Sequence, residues 1–135
     1  MTTIINLIKA DHRNVEALFE RYNITKESDV LNEIITELEK HAAAEEAIVY
    51  PELPQEMAQH AIEEHDDIES DIEAIHVAET DTDIELYIVR LQADITHHVG
   101  EEEAEEGMLA WLEANYDEAG LVSLGEQFAE HKAEL

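Results

Sequence analysis

Apolar residues recur every three or four positions along four long stretches of the chain, which is the period of an α-helix with one buried face. The first stretch runs from about Thr2 to Tyr22 and the second from about Ser28 to Tyr50, where Pro51 ends it. The third stretch follows Pro54. These stretches predict helices of about 20 residues joined by short connections.

The fourth stretch begins at a capping box from Thr82 to Glu85, and its apolar stripe continues beyond Gly107 to Leu112. A short last helix, over about 121–134, follows Gly120. No segment shows the alternation of a strand. The pattern predicts an all-α fold in one domain, residues 1–135: an up-down-up-down antiparallel four-helix bundle with a short C-terminal helix.

Polar residues interrupt the stripes at positions that should be apolar. One histidine in each helix, and three glutamates, stand in register with the apolar positions: His12, His41, His65 and His98, with Glu45, Glu69 and Glu102. His60, His97 and Glu46 lie off the stripes and are predicted to face solvent, and His76 and His131 are assigned structural or surface roles. Register is the informative feature, because histidine is followed four residues later by glutamate six times where composition alone gives about 1.5.

The four histidines also share one level. Each lies nine to eleven residues from the same end of the predicted bundle, which corresponds to about 13–17 Å. Burying imidazoles and carboxylates without partners costs several kcal/mol each, so a metal, a hydrogen-bonded network or a solvent-filled cleft must satisfy them. Four imidazoles with three carboxylates favour a metal, iron first, with zinc or manganese as alternatives. Two carboxylates are enough to bridge two ions about 3.5–4 Å apart.

Charge and composition narrow the class of protein. The chain has 35 acidic and 7 basic residues and a net charge of -28, which argues against nucleic acid or an anionic membrane as a partner. It contains no cysteine, so disulfides and thiolate metal sites are excluded. No stretch approaches the ~20 apolar residues of a membrane helix, and no signal peptide is apparent. We therefore expect a soluble, cytoplasmic protein.

Four stretches, in this order, resemble the haemerythrin family in its haemerythrin-like form, the HHE cation-binding domain. They are DHRNVEALF around His12, HAAAEEAIVYP around His41, EEHDDIESDI around His65 and HHVGEEE around His98. The resemblance implies a non-haem centre of two iron ions, joined by an oxo or hydroxo bridge and two carboxylates. Carried over position by position, it assigns two histidines to each iron and two glutamates as bridges: His12 and His41, then His65 and His98, with Glu45 and Glu102 between the irons.

The chain departs from the family pattern at three places. Glu69 stands where one branch of the family has a further histidine, and the extra negative charge favours the ferric state. Glu102 is preferred to Glu103 as the bridge because it continues the stripe. The usual aromatic-proline pair after the last glutamates is replaced by Gly107 and Met108. The ferritin-like di-iron bundle is a weaker match, because that fold needs two Glu-x-x-His motifs on its stripes.

The resemblance implies a small ligand, O2, peroxide or nitric oxide, with catalase-like peroxide decomposition or oxygen binding as the simplest activities. Two other functions remain open from the sequence. One is iron storage or delivery without turnover. The other is an acidic structural bundle whose core histidines form a hydrogen-bonded network.

Overall fold

A computed structural model describes residues 2–135, so Met1, the first residue of the predicted domain, lies outside the described part of the chain. The described residues form six α-helices: α1 Ile4–Thr25, α2 Ser28–Ala44, α3 Gln55–Val77, α4 Asp81–Glu103, α5 Met108–Asn115 and α6 Glu118–Ala133. A π-helical turn, Glu45–Val49, and a 3-10 turn, Tyr50–Glu52, connect α2 to α3. Residues 2–135 contain no strand, and the predicted all-α bundle is confirmed.

The first four helices form the bundle, and α6 packs against α1 and α2. Helices α1 and α4 run antiparallel, since His12 lies beside Glu103 near one end and Tyr22 lies beside Glu85 near the other. Across residues 2–135, no helix has the length and apolar character needed to cross a membrane.

Two apolar clusters fill the bundle on either side of a polar layer. One cluster contains Ile8, Val49 and Phe128, and the other contains Val15 and Ile95. The in-register histidines lie between them along the helices. The polar residues are therefore enclosed by apolar packing above and below.

The predicted second helix is not one continuous α-helix up to Tyr50. The backbone widens into the π-helical turn, in which the N–H of Tyr50 bonds to the carbonyl of Glu45. The extra residue in this turn changes the register, so Val49 and Tyr50 are buried while Ile48, the predicted stripe residue, is only partly buried. Such insertions into α-helices are frequent at functional sites.

Two helices begin earlier than predicted, α4 at Asp81 and α6 at Glu118, because each is capped by the residue just before it. Thr80, not Thr82, caps α4, and its hydroxyl accepts a hydrogen bond from the N–H of Asp83 at 3.1 Å. Asp117 caps α6 in the same way, accepting from the N–H of Gly120 at 2.8 Å. A side-chain oxygen at this position satisfies one of the unpaired N–H groups of the first turn.

The stripe predicted beyond Gly107 belongs to a separate helix. Helix α4 ends at Glu103, and α5 begins after the chain folds back against that end. A Cβ atom on Gly107 would lie 2.0 Å from the carbonyl oxygen of Glu101 and 2.9 Å from that of Glu102. Glycine is therefore required for this close approach.

The buried face of α3 is displaced from the predicted stripe. Ala61, Ile72 and Ile75 are buried, whereas Ile62 and Glu69 are exposed. The predicted stripe placed the residues on both sides of His65 in the core, but in the structure only those on one side are buried. The expectation that Glu69 belongs to the buried stripe is therefore wrong.

Candidate metal centre

Six of the seven predicted ligands meet between the four bundle helices, and all six are buried: His12, His41, Glu45, His65, His98 and Glu102. The polar atoms form two groups that share Glu45. The predicted convergence of one histidine per helix is thus observed. Ligation by these residues stays a prediction, which the geometry below supports.

The first group contains His12, His41, Glu45 and Glu102, whose ligand atoms lie within 4.8 Å of one another. The Nε2 atom of His12 is 3.2 Å from Oε1 of Glu102, and that of His41 is 3.2 Å from Oε1 of Glu45. Two ligands at right angles, each ~2.1 Å from a metal, are about 3 Å apart. The separations match neighbouring ligands of one ion.

The second group contains Glu45, His65 and His98. The Nε2 atoms of the two histidines are 3.2 Å apart, and that of His65 is also 3.2 Å from Oε1 of Glu45. Glu102 spans both groups, because its Oε2 is 3.2 Å from Nε2 of His98 while its Oε1 faces His12. Both glutamates stand where they can connect two ions.

Tyr50 is a member of the centre that the sequence did not predict. Its hydroxyl oxygen lies 2.9 Å from Nε2 of His65, 3.1 Å from Oε2 of Glu102 and 3.2 Å from Oε1 of Glu45. Burial, with the charges of Glu45 and Glu102, raises the pKa of Tyr50 far above its usual range. The phenol is therefore neutral in the metal-free protein and becomes an anionic ligand only if a metal displaces its proton.

The outer nitrogen, Nδ1, of each of the four buried histidines faces a carboxylate of a neighbouring helix or its continuation. The four pairs, which we call the carboxylate ring, are His12 with Glu103 at 2.6 Å, His98 with Glu64 at 2.7 Å, His65 with Glu46 at 3.0 Å and His41 with Asp11 at 2.7 Å. When Nδ1–H donates to a carboxylate, Nε2 is free to bind a metal and the ring is held in place. All four imidazoles therefore have the orientation of metal ligands.

The carboxylate ring was also missed from the sequence. Glu46 was assigned to the surface; it is half-exposed but accepts from His65. Each ring carboxylate is adjacent in sequence to a residue of the centre, as Asp11 is to His12 and Glu64 to His65. An acidic residue next to His12, Glu45, His65 or Glu102 is the signal that could have found them.

The protonation of the metal-free centre follows from these contacts. Burial alone would lower the pKa of His41, but the charge of Glu45 and the hydrogen bond to Asp11 outweigh it and raise the pKa to about 10. Burial alone would also lower the pKa of His98, but the hydrogen bond to Glu102 and its charge raise that pKa to about 10. Burial would raise the pKa of Glu45, but the charge on His41 holds it well below its usual range. A metal ion must therefore displace protons from the imidazoles.

Four buried atoms of the centre lack a hydrogen-bond partner, and they test whether the residues fit a metal. They are Nε2 of His12, Nε2 of His41, Oε2 of Glu45 and Oε1 of Glu102. Unpaired buried polar atoms are costly, whereas a cation bound between them satisfies all four at once. The nitrogen and oxygen donors suit iron, zinc or manganese, so the residues fit the group.

The other candidate residues lie outside the two groups. Glu69 is exposed and lines a cavity beside the centre. Glu103 pairs with Nδ1 of His12, which agrees with the choice of Glu102 as the inward carboxylate. His60 and His97 are exposed as predicted.

A cavity of about 380 Å³ adjoins the centre. All four histidines reach its wall, and apolar side chains line most of the remainder, among them Val15, Leu38, Ile72, Ile95 and Val99. Its size admits a small molecule next to the imidazoles.

Comparison with known families agrees with the geometry of the site. The Hemerythrin HHE cation binding domain matches residues 3–112, which include every residue of the two groups and of the carboxylate ring. No curated protein and no solved structure matches the chain. The match spans most of the chain and all four bundle helices, and the chain therefore belongs to the haemerythrin HHE cation-binding domain family.

Proposed function

We propose that this protein holds two iron ions in a carboxylate-bridged centre and uses them to bind and process O2 or peroxide, with nitric oxide as a further ligand of the same size. One observation carries the proposal: four buried imidazoles direct Nε2 inward, around two carboxylates, while their Nδ1 atoms are fixed from outside. That arrangement costs free energy unless cations occupy the middle.

The ligands divide unequally between the two ions. His12 and His41 would hold the first iron, His65 and His98 would hold the second, and Glu45 and Glu102 would contribute to both. Tyr50 lies closest to the second pair of histidines. The first iron therefore has fewer protein ligands and is the better position for an external ligand.

The surroundings select small ligands. The cavity beside the histidines is bounded mainly by aliphatic side chains, which admit a diatomic molecule or peroxide and disfavour charged substrates. When bound, the iron pair supplies the redox chemistry. The side chains orient the ligands, limit the access of water and place the hydroxyl of Tyr50 within hydrogen-bond distance of Glu45 and Glu102.

The charge of the ligand set favours peroxide decomposition over reversible O2 carriage. The buried carboxylates of Glu45 and Glu102 and the phenol of Tyr50 surround the proposed position of the second iron. Anionic oxygen donors stabilise ferric iron relative to ferrous iron, and reversible carriage needs a stable diferrous state. Catalase-like activity is accordingly the enzymatic function we propose.

Storage or delivery of iron is the weaker alternative. The ligands are at most 8% exposed and come from four helices, so release of an ion requires the bundle to open. This geometry supports slow exchange. Rapid loss of iron to a chelator would favour storage.

Metal analysis of protein produced with iron, followed by absorption spectra before and after peroxide, O2 or nitric oxide, tests the proposal. We expect about two irons per chain, reduced in His41→Ala and retained in His76→Ala, whose exposed side chain is outside the centre. Fewer than one iron per chain would overturn the di-iron centre. Two irons without any reaction with peroxide or O2 would overturn the activity.

A further inference from the structure

A second group of histidines and glutamates lies on the surface between α3 and α4. His60 and Glu64, four residues apart on α3, face His97 and Glu101, four residues apart on α4. We call these four residues the surface cluster. Residues four apart are neighbours on one helix face, so each helix presents one imidazole and one carboxylate.

The distances in the surface cluster suit a metal ion. The Nε2 atom of His60 is 2.7 Å from Oε2 of Glu101 and 3.5 Å from Oε2 of Glu64. The Nε2 atom of His97 is 3.2 Å from that same Glu64 oxygen and 2.9 Å from Oε1 of Glu101. Ligand atoms of His60, Glu64 and Glu101 all lie within 4.8 Å of one another. Two imidazoles around two carboxylates form a donor set for divalent transition metals.

Glu64 connects the surface cluster to the buried centre. Its Oε2 belongs to the surface cluster, while its Oε1 accepts the hydrogen bond from Nδ1 of His98 at 2.7 Å. A single carboxylate thus contacts the exposed imidazoles on one side and a buried ligand on the other.

One cleft borders both the surface cluster and the buried centre. Its volume is about 450 Å³, and its wall includes His60, Glu64 and Glu101 together with His98 and Glu102. Oε1 of Glu102 has no hydrogen-bond partner although Glu102 is buried. The wall of the cleft therefore carries carboxylates of the surface cluster and a carboxylate of the buried centre.

Exposure and charge fit a site where ions are captured and released. The side chains of His60 and His97 are 58% and 66% exposed, so solvent can complete the coordination and ligands exchange readily. The net charge of -28 raises the local concentration of cations around the molecule.

We propose that the surface cluster captures a divalent transition-metal ion from solution and passes it through the cleft to the buried centre. The delivery step rests on the proposed function, because it requires the buried centre to take up metal. Capture at the surface does not depend on it.

The first experiment measures capture. Zn²⁺ is titrated into iron-loaded protein by isothermal titration calorimetry, and we expect one additional ion per chain. The His60→Ala/His97→Ala variant should lose that ion, while the matched variant His76→Ala/His131→Ala should keep it. Both variants should retain helical circular dichroism, since none of the four side chains is buried. Capture would be overturned if the original protein bound no additional Zn²⁺, or if the H60A/H97A variant bound as much Zn²⁺ as the original protein.

The second experiment measures delivery. Metal-free protein is mixed anaerobically with limiting Fe²⁺, and the Fe²⁺ that is still unbound at successive times is trapped by a chromophoric chelator and measured by its absorbance. We expect the H60A/H97A variant to load at least fivefold more slowly and to reach the same final iron content. Equal loading rates would overturn delivery.

A third variant separates this inference from the proposed function. Replacing His12, His41, His65 and His98 together by alanine removes every imidazole of both buried groups, and this variant should still bind one Zn²⁺ at the surface. If the original protein and this variant both bind a single ion, and H60A/H97A binds none, the surface site stands. The proposed function and the delivery step are then both overturned.

Discussion

Glu45 and Tyr50 are five residues apart, yet both face the centre, with the Tyr50 hydroxyl 3.2 Å from Oε1 of Glu45. In a regular α-helix a separation of five residues turns side chains about 140° apart. The π-helical turn removes most of this difference, since the N–H of Tyr50 bonds to the carbonyl of Glu45 itself. The insertion thus brings one more oxygen donor to the site.

Tyr50→Phe should remove a phenolate-to-ferric charge-transfer band from the visible spectrum of the iron-loaded protein. The reason is that the Tyr50 oxygen is within hydrogen-bond distance of two predicted ligands of the second iron, His65 and Glu102. Tyr116→Phe is the matched control, because Tyr116 bonds only to Glu52 at the surface. An unchanged spectrum in the Y50F variant would show that the phenol does not bind iron.

Glu46→Gln should weaken metal binding about 10–100-fold, as is usual when the partner of a ligating histidine is lost. Glu46 contacts Nδ1 of His65 and is half-exposed, so the fold should be unaffected. Competition with a chromophoric chelator measures the affinity. Glu16→Gln, an exposed carboxylate that pairs only with Arg13, should bind metal like the original protein. If the two variants bound metal with equal affinity, the contact between Glu46 and His65 would not contribute to metal binding.

Gly107→Ala should destabilise the metal-free protein by about 1–3 kcal/mol, the usual cost of forcing a group into occupied space. Its Cβ would meet the carbonyl oxygens of Glu101 and Glu102. Gly100→Ala provides the control, because a Cβ there has no neighbour within 4 Å. Alanine inside a helix is favoured over glycine by about 0.5–1 kcal/mol, so this variant should be slightly more stable. Urea unfolding distinguishes the two, and equal midpoints would contradict the steric argument.

Asp71→Asn should stabilise the protein at pH 8 and have little effect at pH 4. Burial, with the neighbouring Asp94, raises the pKa of Asp71 from 3.8 to about 7 in the folded protein. The folded state therefore binds the proton more tightly, and the stability that Asp71 contributes is lost as pH rises from about 4 to 7. Three pKa units set an upper limit of about 4 kcal/mol. Urea unfolding across this range measures the difference between the variant and the original protein, and a constant difference would contradict the assignment.

The positions of the buried histidines follow from the sequence because each interrupts an apolar stripe, and burial of that stripe dominates how a helix is oriented. The same reasoning places Glu45 and Glu102 correctly. It misplaces Glu69, because a stripe drawn in steps of three and four is wider than the face that α3 buries. Buried apolar residues flank His65 on one side only, and Glu69 lies on the other side with the exposed Ile62.

Features that depend on how helices meet could not be read from one helix at a time. Periodicity assumes a constant α-helical turn, so it cannot place Tyr50 beyond a π-helical turn. It shows which residues face the core but not which exposed faces adjoin, and so it missed the meeting of His60 with Glu101. The pairing of Asp11 with His41 is likewise set by the packing of α1 against α2.

The carboxylate ring connects all four bundle helices in sequence. A carboxylate of α1 contacts the histidine of α2, and one from the continuation of α2 contacts the histidine of α3. A carboxylate of α3 contacts the histidine of α4, and one of α4 contacts the histidine of α1. Displacing any one helix therefore disturbs two imidazoles, its own and the one it supports. Unfolding of any single bundle helix therefore disrupts the metal site. We expect hydrogen exchange in the four bundle helices to slow together when metal binds, so that the ion makes the bundle a single cooperative unit.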